Sequence, residues 1–105
     1  MDERRKHPRF PCRGTVRVRA LDTNVQFDGN IADVSYEGCY VEMLTPFPVG
    51  TPVEAHLDVK SVEFAATGEV RIQHPGMGMG VHFTDVAESE RPKLDQLLAR
   101  LAAGD

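Results

Sequence analysis

Long apolar runs are missing from this sequence; nothing approaches the roughly 18 consecutive hydrophobic residues that a membrane-crossing helix needs. The opening segment, Met1 to Phe10, is polar and basic with no apolar stretch behind it, so it does not read as a secretory signal. A cytoplasmic chain without a membrane partner is therefore expected. Cysteine is scarce: Cys12 and Cys39 lie far apart and in no C-x-x-C pattern. In a reducing compartment two free thiols, one of them packed in a core, are favoured over a disulfide. His7, His56, His74 and His82 are scattered, with no i, i+4 pair and no Cys/His cluster, so neither a metal site nor a cofactor is expected. No Ser/His/Asp or Cys/His set has supporting context, and catalysis is not expected.

What is present fits one domain with one core: 105 residues, 27% charged and 41% hydrophobic. The net charge of −4 is unevenly spread. Residues 1–19 hold seven of the 12 Lys/Arg (Arg4, Arg5, Lys6, Arg9, Arg13, Arg17, Arg19) against only Asp2 and Glu3. The remainder holds five basic residues and 14 acidic ones. A basic arm on an acidic body suits a small, locally bound anion. DNA or RNA would meet a basic face across the whole domain, so no nucleic-acid partner is expected.

Period-2 alternation runs from Gly14 to Phe83. Val16, Val18 and Ala20 alternate with Arg17 and Arg19 in a first strand. Val25, Phe27 and Ile31 continue into a second, and the phase slips at Asp33–Val34, where a bulge or strand end is expected. Cys39, Val41 and Met43 follow in a third, then a loop marked by Pro46, Pro48 and Gly50. Val53, Ala55, Leu57 and Val59 form a fourth, and Lys60–Ser61 reads as a two-residue turn, though not of the preferred primed-turn composition. Val62, Phe64, Ala66, Val70 and Ile72 form a fifth with a bend or bulge at Gly68. Met77 to Phe83 forms the sixth, with Met77 and Met79 expected as core filler and His82 facing outward. Leu94, Leu97, Leu98 and Leu101 then make one stripe of an amphipathic helix. Its cap is Asp85 with Glu88, or Ser89 ahead of Pro92, and Gly104 ends it. The expected fold is mainly all-β: a six-stranded antiparallel barrel over residues 10–84, a C-terminal helix over 85–103 and a flexible basic arm over 1–9.

Two motifs carry chemistry. Arg4-Arg5-Lys6-His7-Pro8-Arg9 offers guanidinium forks that fit phosphate oxygens or the O6/N7 edge of guanine. Pro8 biases His7 toward extended backbone, so Arg5 and Arg9 clasp from an irregular segment. A solvated basic tail or a nucleic-acid arm is the plainer reading. Asp33-Val34-Ser35-Tyr36-Glu37-Gly38 ends the second strand. Its carboxylate suits the N1–H and N2–H₂ donors of guanine, Ser35 adds a hydroxyl, and Gly38 permits positive φ or close backbone approach. An Asx-type turn capping its own amides is the plainer reading here. Tyr36 either flanks a base or covers the turn.

The two motifs together, R-x-x-x-R (Arg5, Arg9), one strand, then D-x-S-x-x-G (Asp33, Ser35, Gly38), resemble the PilZ family. The likeness spans nearly the whole chain, including a G-x-G-V-x-F strand (Gly78, Gly80, Val81, Phe83) and a closing leucine-rich helix. The resemblance implies a six-stranded barrel that binds the bacterial second messenger cyclic di-GMP. Arg5 and Arg9 would contact phosphates and guanine Hoogsteen edges, while Asp33 and Ser35 hold a guanine and Gly38 shapes the turn. Arg4, just ahead of the motif, would favour an intercalated ligand pair. The signal would then pass to a downstream protein partner. One alternative is a PilZ-like adaptor that works through protein contacts without the nucleotide, although such members usually lack residues that this chain retains. Another is a small OB-like barrel for single-stranded nucleic acid, which needs aromatic platforms. Only seven aromatics are present, and Phe27, Phe64 and Phe83 are inward by alternation.

Overall fold

Alternation along the chain becomes a wall with one apolar face. The structure, a computed structural model, describes residues 7–104. Its elements are β1 (Phe10–Ala20), β2 (Gln26–Val34), β3 (Gly38–Glu42), β4 (Pro52–Val59), β5 (Val62–His74), β6 (Gly78–Asp85) and α1 (Arg91–Ala102). The strands close into a barrel in the order β1-β2-β3-β6-β5-β4. Every neighbouring pair is antiparallel, as the short connections predict. Closure pairs every strand on both sides over part of its length, leaving the first half of β2 and the end of β5 with one neighbour each. β4 shows the logic most plainly: Val53, Ala55, Leu57 and Val59 are all buried, while His56 and Asp58 face out. Val16, Val18, Val34, Cys39, Val41, Val70, Met79 and Val81 complete the interior. Phe64 and Phe83 meet there edge to face, with ring centroids 6.2 Å apart.

The irregularities fall where the phase slips. The β2–β3 register shifts between Ile31 and Asp33, which turns Val34 inward. The β5–β6 register shifts at Thr67/Gly68 and again at Val70/Ile72. β1 is bulged between Pro11 and Gly14 opposite β2. Lys60 and Ser61 both adopt positive φ, 55° and 64°, so the β4–β5 turn has primed-type geometry despite its composition.

Four residues expected inside are not, the first being Val25, 44% exposed in the β1–β2 connection just ahead of β2. Phe27 is 40% exposed, because β3 joins β2 only from Asn30 onward and the first half of β2 has β1 as its one neighbour. Its ring packs instead on Phe47 of the β3–β4 connection, centroids 5.5 Å apart. Ile72 is 43% exposed, since the second bulge reverses its phase beyond the last β4–β5 pair, Pro52 with Glu69. Met77 sits in the β5–β6 turn and is exposed; Met79 alone fills the core.

The helix begins at Arg91, six residues later than expected, with Pro92 in its first turn. Glu90 is its N-cap residue and makes no side-chain cap bond. The Glu90 carboxylate accepts the Ala65 amide at 2.8 Å instead, pinning the helix start to β5. That bond, then Lys93, hold its carboxyl below the usual carboxylate range. Leu94 and Leu97 are fully buried, Leu98 and Leu101 partly so. Gly104, at φ 83°, follows the helix in the left-handed geometry that glycine allows.

Candidate functional site

Arg9, the last residue of the arginine motif, meets the Asp33–Gly38 turn at one end of the barrel, where β1 begins, β2 passes into β3, and α1 starts. Bulges flank this end, in β1 after Pro11 and in the β2–β3 ladder before Asp33. Such distortions commonly re-aim side chains beside sites. Asp33 pairs in register with Pro11 on one side and Tyr40 on the other. Arg9, just ahead of β1, donates from Nη1 to Asp33 Oδ1 at 3.2 Å. The two side chains remain 32% and 26% exposed, so the pair is open to solvent and to a ligand.

The turn itself is tightly braced. Ser35 is buried, and its Oγ accepts the Glu37 amide at 3.1 Å while donating to the Gly38 carbonyl at 3.4 Å. The Ser35 amide donates to the same carbonyl at 2.8 Å. Glu37's carbonyl accepts the Phe83 amide at 2.7 Å, which ties the turn to β6. Gly38 is not in the left-handed region. A Cβ there would lie 2.1 Å from the Val81 carbonyl oxygen, so the glycine is required by close approach of β6. Of the sequence-predicted residues, Arg9, Asp33, Ser35 and Gly38 are thus brought together. Arg4 and Arg5, with most of the expected arm, lie outside the described residues.

The structure adds His7 and Arg91, which both meet the Tyr36 already singled out in the sequence. Tyr36, at the tip of the turn, is 38% exposed. The His7 ring lies against it, centroids 5.0 Å apart. The Arg91 guanidinium sits 5.4 Å from the Tyr36 ring centroid and donates to its hydroxyl. Arg91 is 55 residues away from Tyr36, so no spacing rule could pair them. Arg91 occupies the first turn of a helix that has no acidic residue there, against the helix dipole, a signal that emerges only once the helix start is placed at Arg91.

Asp33's charge is felt nearby. Burial, then Asp33, pushes the Cys39 thiol up to about 12 and raises that of Cys12. Both thiols are free. Among the described residues no cluster of three or more His, Cys, Asp or Glu could hold a metal ion, and no helix is long and apolar enough to cross a membrane. A concavity of about 1030 Å³ runs elsewhere, lined by residues of β1, β2, β4, β5 and the start of α1. Arg17–Asp28 and Arg19–Glu54 pairs occupy that face, and no sequence motif maps to it.

A closed six-stranded barrel with a guanidinium, a carboxylate and an aromatic ring converging at one end has the parts of a small-ligand binding module. The PilZ domain family profile matches residues 3–100, and the chain belongs to that family. Three solved structures share its fold. The PilZ domain of CeSA from a cellulose-synthesizing bacterium aligns at a TM-score of 0.69 with 21% identity, covering 88% of this chain and 96% of that one. The PilZ domain of YcgR from Escherichia coli, solved with c-di-GMP, aligns at 0.78 with 14% identity, covering 97% and 94%. The Bacillus subtilis inhibitor of motility MotI/DgrA aligns at 0.78 with 14% identity, covering 99% of this chain and 53% of that one. The comparison with curated proteins returned no match.

Proposed function

We propose that the chain is a cyclic di-GMP receptor that holds the nucleotide between its N-terminal arginines and the Asp33–Gly38 turn. The observation that carries this reading is the Arg9–Asp33 contact, which brings the second arginine of R-x-x-x-R onto the first residue of D-x-S-x-x-G across 24 residues. Family membership supports it, as does the likeness to the YcgR PilZ domain solved with c-di-GMP. In the liganded state Asp33 accepts the N1–H and N2–H₂ donors of a guanine. Arg5 and Arg9 turn to phosphate oxygens or the guanine O6/N7 edge. The Arg9–Asp33 pair must open to admit the base. Part-exposed ion pairs of this kind are worth only about 0–1 kcal/mol, so opening is readily offset by charge-assisted bonds of about 1.5–3 kcal/mol each. Ser35 and Gly38 hold the turn in shape, and Arg4 extends the donor set. The basic arm gathers onto the barrel as phosphates neutralise it, and this change of surface is what a downstream protein partner reads.

Thermal melting with and without cyclic di-GMP, combined with hydrogen exchange over residues 3–13, tests the proposal. Ligand at a hundredfold excess over Kd stabilises the native state by about 2.7 kcal/mol. The expected result is a raised Tm together with slowed exchange in the arm, both lost in Arg9→Ala and Asp33→Ala. No shift in Tm would favour an adaptor acting through protein contacts alone. Tight oligonucleotide binding, lost steeply with salt, would favour a nucleic-acid-binding barrel.

A further inference from the structure

The end of the barrel opposite the Arg9–Asp33 site concentrates exposed apolar side chains. It is built from three connections: residues 21–25 between β1 and β2, 43–51 between β3 and β4, and 75–77 between β5 and β6. Eight large hydrophobic residues are exposed among the described residues, and seven belong to this end. Leu44 is 80% exposed, Met77 63% and Val49 59%, joined by Val25, Ile72, Leu21 and Phe27. Only Tyr36 lies at the other end. Scattered apolar residues need no explanation, but a cluster on one face marks an interaction surface.

The three connections are laced into one platform. Met43 donates its amide to Met77 and Gly76 donates to Leu44, at 3.1 and 3.0 Å. Leu21 donates to Pro52 and Gly50 to Val70, each at 2.8 Å. Phe27 rests on Phe47, and Tyr40 bonds His74 at 2.8 Å beside the β5–β6 turn. A braced platform presents its side chains at little entropic cost on binding.

Charge selects the occupant. The basic groups here are Arg19 and Arg71, held by Glu54 and Glu69 respectively. Asp22 and Glu42, both exposed, have no cationic partner among the described residues. The platform is therefore apolar with a carboxylate rim. An anionic lipid surface would be repelled by that rim, and a second copy would set the same carboxylates against each other.

We infer that this end docks a partner protein through a segment that presents apolar side chains flanked by lysine or arginine. The inference stands apart from nucleotide binding, because it uses the opposite end of the barrel.

The test uses the full ¹⁵N-labelled chain and two synthetic peptides, one of mixed leucine and lysine and one of leucine and glutamate. The leucine–lysine peptide should move the amide resonances of residues 21–27, 42–49 and 72–77, leaving 9 and 33–38 in place. Leu44→Asp with Met77→Asp should weaken that binding by about tenfold or more, the loss expected when central apolar anchors are removed. Both positions are exposed, so melting should barely change, and that control separates lost docking from misfolding. Glu42→Lys alone should weaken the leucine–lysine peptide and strengthen the leucine–glutamate one. Equal response to both peptides, or shifts centred on Arg9 and Asp33, would overturn the inference. So would binding to phosphatidylglycerol vesicles, or a concentration-dependent rise in mass that the double variant abolishes, since these assign the surface to lipid or to a second copy.

Discussion

At the scale of single residues, the candidate site mixes part-exposed groups with groups that hold the frame. Arg9 and Asp33 are part-exposed and touch each other; Ser35 and Gly38 are buried and spend their chemistry on the turn and on β6. The motif letters were legible in the sequence, but this division of labour was not, because it depends on how close β6 approaches. Arg91 is the residue that spacing could not reach. Its placement at a helix start opposes the dipole, and rules broken locally tend to mark function. Arg91→Ala is therefore expected to lower cyclic di-GMP affinity by about 5- to 30-fold while leaving ligand-free stability unchanged or slightly higher. Titration and melting of the same preparation check both halves. Cys39 gives a pH prediction. Its folded thiol is raised from 9.0 to about 12, so the native state keeps a proton that the unfolded chain gives up. Stability attached to this group is intact below pH 9 and falls as pH climbs from 9 toward 12. Cys39→Ser should flatten that alkaline limb in urea unfolding curves followed against pH.

At the scale of elements, alternation and the leucine stripe named all six strands and the helix. Strand interiors were read correctly wherever a strand has neighbours on both sides, as β4 does. The errors came where it does not: Phe27 on the unpaired half of β2, and Ile72 on the overhang of β5. Period 2 reports which face a residue occupies, not whether anything lies across from it. Helix onset was misplaced because the polar residues before Arg91 offered two caps and the structure uses neither; Glu90 is spent on the Ala65 amide. The β4–β5 turn carries an unfavourable element that sequence composition already signalled. Lys60 and Ser61 hold positive φ without being glycine or asparagine, and Arg100 donates to the Lys60 carbonyl at 2.8 Å to brace the turn. Replacing Lys60–Ser61 by Asn–Gly should stabilise the domain by about 1 kcal/mol or more, raising the urea midpoint without altering the slope.

At the scale of the whole molecule, the two ends of the barrel differ in kind. One brings Arg9, a carboxylate turn and a helix start together; the other presents an apolar platform with a carboxylate rim. Charge segregation in the sequence pointed to the first end, where Arg9 meets Asp33. Nothing foretold the second, since Leu44 and Val49 fall in a loop with no pattern of its own and Met77 reads as core filler until the connections are placed in space. Everything proposed for the first end depends on the arginine motif and the turn being two halves of one nucleotide site. Calorimetric titration of cyclic di-GMP into wild type, Arg9→Ala, Asp33→Ala and the double variant tests that dependence. Expected are binding by the wild type, a loss of at least about 2 kcal/mol in each single variant, and a double variant no worse than the weaker single one. Undiminished binding by both single variants, or none by the wild type, would contradict a shared site.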